Sequence, residues 1–446
     1  MKRKEFSRRR FISTVAIGSL ASVASNSIPP FMSLTKSAGT LAILGGEPVV
    51  KNKVWPNWPY VDEKMVETIM KTTRSGIWSR IQSATGTVPT FEKEYANLMG
   101  TRLSVTTGSG TQALSCCVEA LGIGAGDEVI TSPYTDPGTI SSILTSRALP
   151  VMADLDIESF QLDPADVERK ITENTRAIMP VHIMGQPCNM EQIMAIARNH
   201  GLKVIEDCCQ AHLAEYQGKK LGTIGDLGCF SFQTSKTIAC GEGGAVIGND
   251  EELMKKVYTV MMNGDSIVIG TKYRMNEFEA AILLGQLPGV KERFILRNEN
   301  AAYLTSRLRD FPGLVPQKLY QGTTSGSYYL FAMAYHKEHF NNADRNIFLK
   351  ALAAEGISMN GYIANGLHKE PWTDHILNLK GYKKMYSPDR LKKYREELSL
   401  PNCDKVCNMM VMMDGSGNLL GTRADMDEVI NAIMKVYVNR DKLNSI

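Results

Sequence analysis

Three short segments hold residues whose types and settings could do chemistry on a bound ligand. The first, Thr106-Thr107-Gly108-Ser109-Gly110-Thr111, leads into a helical pattern. Small residues let backbone amides approach an anion, and a helix N-terminus adds unpaired N–H groups and a positive dipole end, so a phosphate would fit. A plain glycine-rich turn with a Thr cap accounts for the same residues. The second is Asp207, directly after Lys203-Val204-Ile205-Glu206 and before Gln210-Ala211-His212. A carboxylate at a strand end either holds a protonated ligand nitrogen through a charge-assisted hydrogen bond or caps the next turn. His212, and His182 after the apolar run 177–181, either line the same crevice or sit as hydrogen-bonded core histidines. The third runs from Phe230-Ser231-Phe232 to Lys236 and on to Gly241-Glu242-Gly243-Gly244. A lone lysine is normally a surface residue, but one between an apolar strand and a Gly-rich turn is partly desolvated and can attack carbonyls. Phosphate turn, strand-end carboxylate and desolvated amine, in that order, supply one partner for each handle of pyridoxal phosphate: its phosphate, its ring nitrogen and its aldehyde.

The elements that must position these residues follow from the pattern around them. Apolar runs at 128–131, 150–152, 177–181 and 204–205 alternate with helical patterns at 111–122, 137–147, 163–171 and 189–200. This alternation predicts βαβ units, and strands that read as continuous apolar runs are covered on both faces. The expected fold class is therefore α/β, a mostly parallel sheet between helix layers, with ligands at the carboxyl ends of the strands. Before it, a helix is predicted from about Asp62 to Thr73 with Asp62 as cap and Gly76 as stop, and after it a long helix from about Asn276 to Asn300. Shorter strands and helices over 325–440 read as a smaller α+β domain. The expected division is 1–24 signal, 25–40 linker, 41–300 large domain with an N-terminal arm, and 301–446 small domain.

Over roughly residues 41 to 440 the chain resembles the DegT-type sugar aminotransferases, fold-type I pyridoxal-phosphate enzymes. The resemblance rests on Gly45-Gly46-Glu47-Pro48-Val49, Ser75-Gly76-Ile77-Trp78-Ser79, Ser109-Gly110-Thr111-Gln112-Ala113-Leu114, Pro180-Val181-His182 with Gly185, and Glu206-Asp207-Cys208-Cys209-Gln210-Ala211-His212. It continues through Phe230-Ser231-Phe232, Lys236, Gly241-Glu242-Gly243-Gly244, Tyr273-Arg274-Met275, and Ala280-Ala281 to Gln286-Leu287. It implies that Lys236 forms the Schiff base with pyridoxal 5′-phosphate, that Asp207 pairs the pyridine nitrogen, and that Gln210 sits by the ring hydroxyl. Ser109, Gly110, Thr111 and Ser231 would hold the phosphate. It further implies transfer of an amino group from glutamate or glutamine to a keto sugar or keto cyclitol, in a homodimer with a shared site. Related sugar dehydratases have His at the lysine position, so Lys236 favours transamination. Two positions depart from the family pattern. Asp136, in Pro133-Tyr134-Thr135-Asp136-Pro137, stands where an aromatic residue usually stacks on the pyridine ring, so either Tyr134 turns in or the ring face is covered differently. Lys272 stands where an Asn usually reaches the partner subunit's phosphate, and it can still pair with phosphate as a point charge. An exported, cofactor-binding protein with reduced catalysis and a sensing or scaffolding role is the competing expectation.

Charge and cysteine use bear on partners and address. The 446 residues carry 50 Lys+Arg against 47 Asp+Glu, but the first 24 hold six of the basic residues and one acid, leaving a slightly acidic body. That removes a charge-based case for nucleic-acid binding. Ser7-Arg8-Arg9-Arg10-Phe11, an uncharged stretch from Ile12 to Ala24 and the small residues Ser22-Val23-Ala24 read as a twin-arginine export signal, the alternative being an uncleaved amphipathic helix. The uncharged stretch is too short for a confident membrane span. Nine cysteines in mostly apolar settings are expected as buried, reduced thiols, consistent with folding around a cofactor before export. Cys403 and Cys407 alone have ligand-like spacing, and without a second Cys/His pair nearby no metal is expected. His368, in Gly366-Leu367-His368-Lys369-Glu370, is either a substrate-side or a structural residue, and the Met-rich run 409–413 is expected in the core.

Overall fold

The computed structural model describes residues 39–446. The expected signal and residues 25–38 of the expected linker lie outside the described residues. Helix α1 (Glu63–Ser75) starts where Asp62 accepts the Met65 amide at 2.9 Å and stops at Gly76, whose φ of 69° lies in the left-handed region that favours glycine. Helix α2 (Thr87–Met99) leads into the alternating stretch: β1 (Leu103–Thr107), α3 (Gly110–Ala120), β2 (Glu128–Thr131), α4 (Pro137–Thr145), β3 (Leu149–Met152), α5 (Pro164–Arg169), β4 (Thr175–Met179), α6 (Met190–His200) and β5 (Lys203–Asp207). A small hairpin, β6 (Glu215–Tyr216) and β7 (Lys219–Lys220), precedes β8 (Leu227–Ser231), β9 (Gly244–Gly248), α7 (Glu251–Met261) and the long α8 (Glu277–Leu308).

Seven strands form one sheet in the order β1-β9-β8-β5-β4-β2-β3. It is parallel throughout except for β9, which runs antiparallel to both of its neighbours. The fold is α/β with the mostly parallel sheet between helix layers that the apolar runs demand. Alternate residues feed two cores: Ile130, Ile178, Val204, Phe230 and Ile247 pack on one face, and Val129, Ala177, Ile205, Cys229 and Val246 on the other. All nine cysteines are free thiols and eight are buried, packed as small hydrophobes.

Beyond α8 come β10 (Leu314–Pro316), β11 (Thr323–Ser325), β12 (Leu330–Tyr335), α9 (Arg345–Ala354), α10 (Trp372–Asn378), α11 (Lys380–Met385), α12 (Pro388–Glu396), α13 (Pro401–Met409), β13 (Met410–Asp414) and α14 (Arg423–Val438). Strands β10, β12 and β13 make an antiparallel sheet over a core of their own, and the Met-rich run spans the end of α13 and β13, with Met410 and Met413 fully buried. Helix α8 passes the predicted stop at Asn300 because Ala301, Leu304 and Leu308 continue its apolar spacing into that second core. The Asn300 side chain is used there instead, donating to the carbonyls of Leu419 and Gly421 at 2.9 and 2.8 Å.

The edge strand β3 is covered by α11 and α12. Tyr382 and Tyr394 donate their hydroxyls to the carbonyls of Ala148 and Pro150 at 3.1 and 3.0 Å, while Arg390 grips Glu128 with two bonds of 2.5 and 3.1 Å. At the opposite edge, Glu92 of α2 fixes β1 just before the glycine-rich turn. It accepts the Thr106 amide at 2.7 Å and hydroxyl at 2.8 Å, and takes both Arg80 guanidinium nitrogens at 2.5 and 2.8 Å. Glu92→Gln leaves a buried guanidinium without its counter-charge and is expected to destabilise the fold by about 3 kcal/mol, measured as a lowered denaturation midpoint. Adding Arg80→Met should restore part of the loss.

Candidate active site

A cavity of about 460 Å³ opens at the carboxyl ends of β1, β5 and β8. It brings together seven of the residues singled out in the sequence: Ser109, Gly110, Thr111, Asp207, Gln210, Ser231 and Lys236. Ser109 caps α3, its hydroxyl accepting the Gln112 amide at 3.2 Å, so the first amides of the helix, those of Gly110 and Thr111, have no carbonyl one turn back and border the cavity. The turn tolerates no side chain at Gly110: a Cβ there would lie 2.8 Å from both Cys209 Sγ and Ser231 Cβ.

Asp207 ends β5 with its side chain toward the cavity and Glu206 toward the other face, as the two-residue strand period requires. Its Oδ2 accepts the Thr139 hydroxyl at 2.8 Å and its Oδ1 the Cys209 amide at 3.1 Å. It has no ion pair among the described residues. Gln210 is fixed at both ends of its amide, accepting from Met184 N at 2.7 Å and donating to the Tyr362 hydroxyl at 2.9 Å.

Lys236 lies on the loop from β8 to β9, half-buried, with Nζ 4.3 Å from the centre of the Tyr329 ring. The loop is held from three distant parts of the chain. The Trp58 indole donates to Thr234 O at 3.2 Å, and the Ser416 hydroxyl to Ser235 O at 2.8 Å. Arg297 in turn donates to Ser416 O at 2.9 Å and Gly415 O at 3.1 Å while lying over the Trp58 ring. Burial, reinforced by nearby Arg293, pushes the Arg297 guanidinium down to about 9. Tyr329, Tyr362, Thr139, Trp58, Arg297 and Ser416 were not indicated by any motif or spacing; each reaches the site from a different element, and only the fold assembles them.

Other expected residues lie elsewhere. Lys272 is exposed on the segment between α7 and α8, with φ 59°, and does not line the cavity within this chain. His182 and His212 belong to the protein interior. His182 accepts the Cys188 amide at Nδ1 and meets Glu206 through Nε2, both at 3.1 Å. The Glu206 carboxylate also accepts the amides of Gly222, Ile224 and Gly225 at 2.7–2.9 Å. His182 and Glu206 are thus tied into a hydrogen-bonded brace, and Cys208, which lies close enough to complete a metal-sized group with them, packs in the core. His212 Nε2 donates to Ser231 O at 2.8 Å, and Nδ1 accepts from the Tyr95 hydroxyl at 3.0 Å. His368 is buried beside Asp404, 3.2 Å away, and is not on the cavity wall. Tyr134 is fully buried in the core, edge-on to Tyr362, and does not turn into the cavity. Asp136 is on the wall and caps α4, its Oδ1 accepting the Gly138 amide at 2.8 Å.

Amides at a helix end, a buried carboxylate and an amine facing one another suit a ligand that combines a phosphate, a basic nitrogen and a carbonyl. The class of protein follows from comparison with known chains: it is a transaminase. It belongs to the DegT/DnrJ/EryC1/StrS aminotransferase family, whose model matches residues 59–413. It is 34% identical over 415 residues to a Streptoalloteichus tenebrarius protein provisionally named L-glutamine:3-amino-2,3-dideoxy-scyllo-inosose aminotransferase, covering 90% of this chain and 99% of that one. It is 32% identical over 433 residues to the L-glutamine:2-deoxy-scyllo-inosose aminotransferase of the same organism, covering 91% and 99%. Among solved structures it is similar to DesV of S. venezuelae in complex with a ketimine intermediate, with a TM-score of 0.73, 27% identity, and coverage of 86% and 99%.

Burial pushes the His212 imidazole from its ordinary 6.5 down to about 4. A histidine held neutral in the fold favours folding fully above pH 6.5 and loses that contribution as pH falls toward 4, by about 3 kcal/mol at most. Denaturation midpoints followed from pH 7 to pH 4 should therefore fall more steeply for the unaltered protein than for His212→Gln.

Proposed function

We propose that this chain transfers the amino group of glutamine to a keto cyclitol with pyridoxal 5′-phosphate as its cofactor, as part of aminocyclitol or amino-sugar biosynthesis. The observation that carries this is the single cavity shared by the Lys236 amine, the Asp207 carboxylate and the N-terminus of α3. The choice of donor and acceptor is supported by the relatives' names. When bound, the cofactor supplies a carbonyl that takes up the amino group and a ring that stores the electron pair left at the donor carbon. The chain's own residues do the rest. Ser109, Gly110, Thr111 and Ser231 hold the phosphate, the first three through the end of α3. Asp207, kept in place by Thr139 and the Cys209 amide, holds a proton on the ring nitrogen through a charge-assisted hydrogen bond. Gln210, clamped between Met184 and Tyr362, fixes the ring's hydroxyl side. Lys236 Nζ accepts the proton leaving the donor carbon and returns it on the acceptor side, and the Tyr329 face limits where that amine can lie.

The active form in this reading is a homodimer in which Lys272 reaches the phosphate held by the other copy. Supporting it are the large apolar side chains left exposed on the segment beside Lys272, Ile267 and Ile269 at 89% and 93%. The chain is taken to be exported folded by the twin-arginine route, in keeping with Ser7-Arg8-Arg9-Arg10-Phe11 and the unpaired thiols. A cofactor-binding protein with reduced catalysis, prompted by Asp136, Lys272 and the export address, is not favoured: the relatives are named for transamination, and Asp136 is a helix cap.

Purified protein loaded with the cofactor is expected to show visible absorption that glutamine bleaches and a keto cyclitol restores. Lys236→Ala should lower transfer about a hundredfold or more and abolish the lysine-dependent absorption; absorption that no amino donor bleaches would count against the reading. Mixing Lys236→Ala with Lys272→Glu protein tests the shared site, because a mixed dimer rebuilds one intact cavity. Activity that neither variant has alone is the expected result.

A further inference from the structure

Helices α10, α11 and α12 need only one side to cover the edge strand β3. The inward residues Tyr382, Arg390 and Tyr394 are spent on the sheet, through their bonds to Ala148, Glu128 and Pro150. The outward side is not needed for that cover, and it holds a groove of about 440 Å³ lined by apolar Leu377, Pro388 and Leu391 and by the cations Lys383, Lys392 and Arg395. We propose that this side docks on an anionic phospholipid bilayer, its cations meeting the headgroups and its apolar residues the acyl boundary, and so holds the protein at a membrane surface.

Charge is sorted by helix face. On α12, positions 388, 391, 392 and 395 recur at helical spacing and line the groove, which puts the exposed acids Asp389 and Glu396 on a flanking face. On α11, Lys380, Lys383 and Lys384 are exposed and lie opposite the buried Tyr382. No carboxylate lines the groove, and Lys380, Lys383, Lys384 and Lys392 have no ion-pair partner among the described residues, while Arg395 is paired with Asp374 at 2.7 Å. The body of the chain is slightly acidic, so these unpaired lysines are a segregated patch and not an average of the surface. An anionic bilayer attracts such a cluster. Lysine stems can lie along the apolar residues while their heads reach phosphate. The apolar part decides between a bilayer and a soluble polyanion. A polyanion has no use for Leu391, Pro388 or the neighbouring Leu379, which is 40% exposed, whereas the acyl boundary of a bilayer buries them.

The full-length, cofactor-loaded protein is sedimented at low salt with vesicles of phosphatidylcholine alone and of phosphatidylcholine mixed with phosphatidylglycerol. Residues 1–24 are themselves basic, so every chain compared keeps them and the substitutions carry the test. Preferential binding to the mixed vesicles is expected. Replacing three lysines together, Lys383→Gln, Lys384→Gln and Lys392→Gln, should weaken it about a hundredfold, at about fivefold per lysine. Leu391→Ser, which leaves every charge in place, should weaken vesicle binding severalfold and leave binding to polyphosphate as it was. Denaturation midpoints show that each variant is folded, and Leu379→Ser, at an exposed position, replaces Leu391→Ser if that chain is unstable. Equal binding of the unaltered protein to the two kinds of vesicle, or undiminished binding by the folded triple variant, overturns the proposal. So does undiminished vesicle binding by the folded leucine variant, which would make this side a site for a soluble polyanion.

Discussion

A sheet covered on both faces has no room for chemistry between its helix layers. The apolar side chains along β2, β4, β5 and β8 are divided between the two cores, so functional groups are carried where the strands end. Parallel strands end on the same side, and the α/β connections put a helix start beside them. Asp207 and the cap of α3 are there for that reason, one at a strand terminus and the other at the turn after β1. The reversal of β9 adds the third component: it makes the β8–β9 connection a loop that doubles back over the same rim, and Lys236 rides on it. Amine, carboxylate and helix amides thus meet without any of the three being close in sequence to another.

This constraint also explains why much of the fold was legible in the amino-acid sequence. Runs such as Glu128–Thr131 read as strands because burial on two faces removes the polar alternation that would otherwise blur them, and caps such as Asp62 and stops such as Gly76 work through local hydrogen bonds and backbone freedom alone. The glycine-rich turn at Ser109–Thr111, Asp207 and Lys236 could be picked out because they follow a strand or open a helix, whereas Gln210 and Ser231 were indicated only by the family resemblance. The rest was hidden for an equally physical reason. Arg297 sits mid-helix and Ser416 in a turn near the C-terminus, and nothing in their neighbours signals that they brace the lysine loop. His182, His212 and His368 are of a residue type common in sites, yet the first two are turned inward by their hydrogen-bond partners Glu206 and Ser231, and His368 is buried beside Asp404. The stop expected at Asn300 failed similarly, since a residue that often ends helices there makes a tertiary bond from within one.

Polar side chains at this site do double duty. Asp136 ends a loop, starts α4 and presents an oxygen to two cavities, the active-site one and a second of about 750 Å³ walled by α4 and residues 362–372; Tyr362 clamps Gln210 and divides the same two spaces. Such sharing couples the geometry of the two cavities, because a shift of α4 relative to the segment 362–372 moves both walls together.

The bracing of the lysine loop has a consequence for how the protein comes into being. Its supports come from Trp58, Arg297 and Ser416, so the last of them leaves the ribosome long after the strands of the large sheet. During synthesis the large sheet can assemble early while the loop that carries Lys236 still lacks its final hydrogen bonds. The cavity therefore reaches its finished shape at the end of folding, and capture of a ligand there would mark a molecule in which the large sheet and the C-terminal core have both closed.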